Sequence, residues 1–311
     1  MPNAARHTGA ERLDRERRAP PAAAALGALV AVVGILVIIG WWSQLDGLTR
    51  ISDRFTPMKP NAALGLVVAG GSLAVWAGRP TGRRVASVPT AAGAVLLLLG
   101  VGTLAEFGFG VDLGIDRLLL PRAGDTDAAN AGRMAVMSAA VFVALGAGQL
   151  ALVRRRWRIV HLASAASVVI GYVALLGYLY GKSALYQVGA YSEMSLHMAA
   201  AACLLGVTLE LCAGDHGIAA LVRDRGAAGR ITRTLVPTLT ALIPLIGWAV
   251  LRGERAGMYE SPFTAAVIAA TIGVLGSALT LWAAAAARRG DELQRAARAE
   301  LEALTQSLER R

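Results

Sequence analysis

Six internal methionines, Met58, Met134, Met137, Met194, Met198 and Met258, sit at the polar ends of long apolar runs. His197 falls among them, and Glu193, Glu260, Asp116 and Tyr186 lie in or beside the same connecting segments. Thioether sulfur together with imidazole is a soft donor set suited to copper(I). Methionine is also a flexible gap-filler near helix starts, and duplication of a hairpin would copy it. The second explanation needs no ligand and is the more economical, so the metal, and any other cofactor, stays unassigned.

Other groups invite the same weighing. His197 is an ionisable residue at membrane depth, either a hydrogen-bonded helix-interface residue or part of a site. It cannot share a haem with His161, because the two begin spans at opposite faces, about 30 Å apart. Glu106 and Glu210 lie near span ends, where a carboxylate is expected to snorkel to the interface rather than relay protons. Glu254 and Arg255 fit an ion pair closing a short turn; alternatively, Arg255 faces an anionic ligand. Cys203 and Cys212 are roughly 13 Å apart along one helix, too far for a disulfide. No nucleophile, base and metal ligands converge, so no catalytic role is expected of this chain. The candidate ligand-binding residues are Asn61, Met134, Tyr186, Met194, His197 and Arg255. They recur at equivalent repeat positions or lie in the turns beside them. A few oriented polar groups on apolar walls are the usual anatomy of a small-molecule site.

The elements that must position these residues are membrane helices. Of 311 residues, 55% are hydrophobic and 17% charged, and mean hydropathy is +0.53. Soluble chains carry about 25% charge. Apolar runs fall near residues 22–42, 61–78, 85–106, 134–153, 159–180, 195–212, 234–251 and 263–287. A bilayer crossing takes about 20 such residues, with every backbone polar group satisfied internally. The first run follows some twenty polar residues and lacks a small-residue cleavage site, so it is not expected to be a removed signal peptide. The net charge of +10 belongs to the segments flanking the spans. No basic-aromatic pattern for nucleic acid is visible.

Placing the N-terminus in the cytoplasm puts 22 of the 31 lysines and arginines on that side. The positive-inside rule then sets both termini in the cytoplasm, in agreement with an even number of spans. Trp41, Trp42, Trp76, Trp157 and Trp282 near span ends fit an aromatic belt. Three of the even-numbered spans repeat a pattern that starts at Met58, Met134 and Met194. Each has a longer side chain at plus three (Asn61, Met137, His197), alanine at plus five and glycine at plus twelve (Gly70, Gly146, Gly206). Those glycines would admit a close neighbouring helix. The region of Gly257, Met258 and Tyr259 matches loosely. The outer segment 107–133, with an apolar stretch from Phe107 to Leu120, could cap the bundle as a lid.

The tail 288–311 places Leu301, Leu304 and Leu308 at spacings of three and four, a short coiled-coil seam. It would continue the last span into the cytoplasm as a homodimer stalk; a solvated amphipathic tail is the plainer alternative.

Five stretches carry a resemblance: Phe55 to Gly65, Gly114 to Leu120, Gly177 to Tyr186, Met194 to Ala199, and Gly253 to Tyr259. In this order and spacing the chain resembles the multi-span membrane input region of bacterial sensor histidine kinases and diguanylate cyclases. The resemblance implies spans that feed a cytoplasmic helix and, beyond it, a PAS or kinase module. The sequence departs from that pattern at Val136, where the family often has proline, and at Ala62, where threonine is common. None of His7, His161, His197 and His216 sits in a phospho-acceptor context, and no nucleotide-binding or cyclase motif is present. The output would be a further domain or a separate partner.

The expected fold is therefore an all-α integral membrane protein with about eight transmembrane helices in four hairpins and a short cytoplasmic coiled-coil helix. The expected organisation is a polar tail 1–20, an eight-span sensory domain 21–287 and a signalling helix 288–311. The expected location is a bacterial inner membrane, with the bilayer and a cytoplasmic signalling output as partners. The expected role is a sensory input module that detects a ligand or a membrane state at its outer half. The alternative is a small-molecule or ion transporter, although mid-membrane acidic residues are not apparent and only Pro89, Pro237 and Pro244 interrupt spans.

Overall fold

The structure is a computed structural model. It describes residues 21–52, 54–78, 83–115, 133–182, 185–187, 193–214, 216, 226–258, 272 and 276. The expected tail 1–20, nearly all of the eighth span and the signalling helix 288–311 lie outside the described residues. The chain divides into two compact units, Met1–Ala219 and Ala220–Arg311.

Among the described residues the first unit holds seven helices: α1 (Pro21–Trp42), α2 (Asp46–Thr49), α3 (Pro60–Gly78), α4 (Arg83–Phe109), α5 (Val136–Val153), α6 (Trp157–Tyr180) and α7 (Leu196–Cys212). The second holds α8 (Ala227–Arg255). Among the described residues the protein is all helical, and six helices are long and apolar enough to cross a membrane: α1, α3, α4, α5, α6 and α8. The seventh apolar helix, α7, has 17 residues. The chain is a multi-pass membrane protein.

Three hairpins build the first unit. α1 packs against α3, α4 against α5 and α6 against α7. The second helices of the hairpins, α3, α5 and α7, also touch one another and form a central trio. The first helices sit in the grooves between them: α1 also meets α7, α4 also meets α3, and α6 also meets α5. Burial follows this arrangement. Of the apolar windows, 50% of α3 and 56% of α5 are buried, against 28% of α1 and α4 and 33% of α6. The remaining apolar surface of the peripheral helices suits lipid.

Small residues explain how each hairpin closes. A Cβ at Gly70 would lie 2.5 Å from the Gly27 carbonyl oxygen, and one at Gly146 would lie 2.8 Å from that of Gly93. One at Gly206 would lie 2.8 Å from the Ser164 carbonyl oxygen. Seven residues further along the peripheral helices, Gly34, Gly100 and Gly171 rest on the carbonyls of Ala63, Ala139 and Ala199, at 2.6, 2.7 and 2.6 Å from a Cβ. The same two-point seam thus recurs three times. In lipid, where apolar burial offers little drive between helices, such close backbone packing is a main source of association. The third hairpin adds hydrogen bonds from Ser164 to the Gly206 carbonyl (2.9 Å) and from Ser167 to the Ala202 carbonyl (2.8 Å).

Between hairpins the contacts run through side chains. The Phe142 ring of α5 fills the space over Gly65 of α3, and Leu209 of α7 covers Gly148 of α5. Gln149 and Ser72, both buried, hydrogen-bond across α5 and α3.

In the second unit, α8 carries Pro237 and Pro244 within it. The hydroxyls of Thr238 and Thr240 donate to the carbonyls of Thr234 and Val236, and the Arg252 guanidinium lies 5.3 Å from the centre of the Trp248 ring.

Candidate functional site

All three central helices begin at the same end of the first unit, and Met58, Met134 and Met194 lie just before them, each fully buried. The backbone at these residues is fastened from the neighbouring segments. The Met58 N–H donates to the Thr49 carbonyl (2.8 Å), and its own carbonyl accepts from the Trp41 indole (2.8 Å). The Met194 N–H donates to the Tyr186 carbonyl (2.8 Å), and its carbonyl accepts from the Tyr178 hydroxyl (2.7 Å). Trp41 and Tyr178 occupy the same place, seven residues beyond the second seam glycine of α1 and α6. Phe107 holds that place on α4 and has no hydrogen to donate; the Arg133 guanidinium lies 5.2 Å from its ring centre instead.

A small cavity opens at this end, and its walls follow the repeat. The plus-one residues Lys59, Ala135 and Ser195 and the plus-four residues Ala62, Ser138 and Met198 all line it, with Met58, Met134 and Glu193. It is water-sized. Equivalent positions carry different chemistry, so one asymmetric site forms where three similar helices meet. The Thr56 hydroxyl hydrogen-bonds the Glu193 carboxylate at 2.5 Å, joining the first hairpin to the third. Phe55 meets Tyr178 edge-on at 5.2 Å, and Tyr178 stacks on Tyr186 at 4.1 Å. Burial, and then the nearby Glu193 carboxylate, push the Tyr186 phenol above its ordinary pKa.

The expected site residues are only partly gathered here. Met134 lines the cavity; Met194 is buried beside it without lining it; Tyr186 belongs to the aromatic stack. Asn61 is buried on the first turn of α3, where its Oδ1 accepts the Ala62 N–H at 2.9 Å. His197 is half-buried on α7 and off the cavity wall. The physical reason is helical register. From the leading methionine, plus four turns toward the central axis, whereas plus three, the position of Asn61, Met137 and His197, is rotated about 100° away from it. Arg255 and Met258 belong to the second unit, where both are exposed. The wall residues at plus one and plus four, Lys59, Ala135 and Ser195 with Ala62, Ser138 and Met198, are absent from the site expected from sequence, as is Glu193. The signal for the first six was their shared spacing from the leading methionines; Glu193, one residue before Met194, had none.

Two further expectations are corrected. Neither Glu106 nor Glu210 snorkels. Glu106 has a fully buried side chain that accepts the Leu113 N–H (2.9 Å) and pairs with Arg133 (3.4 Å). Residues 110–115 fold back on α4, where Ile115 covers Gly102, and so enclose the carboxylate. Glu210 is buried at the opposite end and lies 3.0 Å from His161 Nδ1. His161 thus serves as a partner across α6 and α7.

The cavity wall bears on copper(I). Three thioether residues, Met58, Met134 and Met198, line it, together with the cationic residue Lys59. Among the described residues no cluster of three or more His, Cys, Asp or Glu is present. Comparison with family models, with curated proteins and with solved structures found no match.

Proposed function

We propose that this chain is a membrane-embedded sensory input module. A small ligand entering the cavity where α3, α5 and α7 begin would spread the three hairpins, and that motion would pass through the C-terminal helix 288–311 to a cytoplasmic kinase or cyclase output. The observation that carries this proposal is the asymmetric, water-sized cavity built from equivalent positions of three hairpins. Below it Leu66, Phe142, Leu145 and Leu205 are fully buried between the helices, packing that favours a switchable bundle over a conduit. A ligand drives such a switch only by binding one packing better than the other. The positive-inside rule places the methionine end outside. The resemblance to the input regions of sensor kinases and cyclases points the same way.

The test needs no identified ligand. Residues 1–311 are fused to a histidine kinase output, and Ala62→Leu and Ser138→Leu are introduced to fill the cavity. Each is expected to shift basal autophosphorylation several-fold, because a bias of about 1 kcal/mol is about a fivefold change in a two-state equilibrium. Leu98→Phe, at a 74% exposed position of α4, should leave it unchanged. If correctly folded cavity variants signal like the parent, the cavity is structural and the sensory reading fails.

A further inference from the structure

The opposite end of the first unit carries a cluster that the cavity does not explain. α5 ends at Val153 and α6 begins at Trp157, so the whole connection is Arg154, Arg155 and Arg156, followed by Arg158 on the first turn of α6. All four arginines are exposed, and none pairs with a described carboxylate. Glu210, the described carboxylate at this end of the unit, is buried against His161.

The backbone here is strained in favour of arginine. Arg155 has φ +54, the left-handed region that suits glycine. The chain uses glycine there after four other helices, Gly110 after α4, Gly181 after α6, Gly214 after α7 and Gly257 after α8, and a glutamine, Gln44 at φ +57, after α1. The turn itself is well formed, with the Arg156 N–H donating to the Ala151 carbonyl at 2.9 Å and the Arg155 N–H to that of Leu152 at 3.2 Å. A glycine would close it with less strain, so the turn keeps a fourth guanidinium at some conformational cost. The setting points to a use. Both flanking helices are candidate membrane spans, so a three-residue turn holds the guanidiniums at headgroup depth. Trp157, whose ring lies 4.2 Å from that of His216 at a tilt of 43°, is the type of side chain that anchors at that level. Guanidinium forks match phosphate oxygens two at a time.

We propose that the α5–α6 turn binds the phosphate headgroup of an anionic phospholipid. The test is native mass spectrometry of the full chain released from detergent, with cardiolipin, phosphatidylglycerol or phosphatidylcholine added. The parent should retain the two anionic lipids and release phosphatidylcholine. The triple variant Arg154→Gln, Arg156→Gln, Arg158→Gln should retain them on the order of a hundredfold less well. Arg155→Gly should melt at a higher temperature than the parent yet hold lipid roughly fivefold more weakly, a combination that a purely structural arginine would not produce. Arg54→Gln, an exposed arginine at the methionine end, should change nothing. If the triple variant fails to fold, Arg158→Gln alone is read, with roughly a fivefold loss expected. Equal retention by the arginine variants, or equal retention of phosphatidylcholine, would overturn the proposal. Release of the lipid by millimolar inorganic phosphate would also overturn it, by showing a free-phosphate site.

Discussion

The seams inside the hairpins and the contacts between them are built on different principles. Inside a hairpin, backbone lies on backbone: Gly27 on Gly70, Gly93 on Gly146, and Gly171 on the Ala199 carbonyl. Between hairpins, Phe142 covers Gly65, Gln149 bonds Ser72, and Thr56 bonds Glu193. Backbone seams have one packing. Side-chain contacts can repack through rotamers at modest cost. In the proposed sensory reading, the hairpins are the rigid pieces and the interfaces around the cavity are where the bundle changes.

The sharpest break of this comparison comes from adjacent glycines. A Cβ at Gly70 meets the Gly27 carbonyl, whereas one at Gly71 meets nothing within 4 Å. Gly70→Leu should cost about 3 kcal/mol or abolish folding, and Gly71→Leu should be near neutral, as read by thermal unfolding in detergent. Equal behaviour would remove the seam from the account.

Next in size is Glu106→Ala, which leaves Arg133 without its buried partner at the mouth of the second hairpin. About 3 kcal/mol of destabilisation is expected, because the variant loses an ion pair whose carboxylate is fully buried and leaves the Leu113 N–H without its acceptor. A cost below about 1 kcal/mol would mean the carboxylate reaches water after all, as the sequence alone suggested.

Cross-hairpin bonds should matter less. Gln149→Leu and Thr56→Val are each expected to cost about 1 kcal/mol. Losses as large as that of Gly70→Leu would erase the distinction between the two kinds of interface.

The smallest effect is in pH. A phenol whose pKa is raised in the folded state favours folding fully below the ordinary value near 10. That contribution is lost as pH rises through the folded value. Stability should thus fall slightly above pH ~10, and Tyr186→Phe should flatten that slope.

Among the described residues, six membrane-length spans, the shorter apolar helix α7 and the pairing of three hairpins were legible because hydrophobic length and the methionine repeat are local properties. The plus-twelve glycines were legible as contacts for the same reason. Their partners were not, because Gly27 and Gly34, Gly93 and Gly100, and Ser164 and Gly171 become a pattern only once each peripheral helix is laid against its own hairpin. Of the candidate residues read from the sequence, Met134 lines the cavity; plus three selects Asn61 and His197, whereas the wall takes plus four, Ala62, Ser138 and Met198. Glu106 and Glu210 escaped because their partners, Arg133 and His161, are distant in sequence. Arg255 belongs to the second unit and is not among the residues that line the cavity.

The central claim is that the hairpins move as units around the cavity, and two staples in the kinase fusion test it most directly. A Cβ at Gly78 would lie 3.9 Å from that of Ala24, within disulfide range, so Ala24→Cys with Gly78→Cys ties α1 to α3 inside one hairpin. Thr56→Cys with Glu193→Cys, bridged by a short bifunctional thiol reagent, ties the first hairpin to the third. Both are made with Cys203 and Cys212 replaced. Autophosphorylation is then measured with and without the cavity-filling Ser138→Leu. The account predicts that the cross-hairpin staple abolishes the shift caused by Ser138→Leu and that the in-hairpin staple leaves it intact. Loss of the shift under both staples, or under neither, would contradict it.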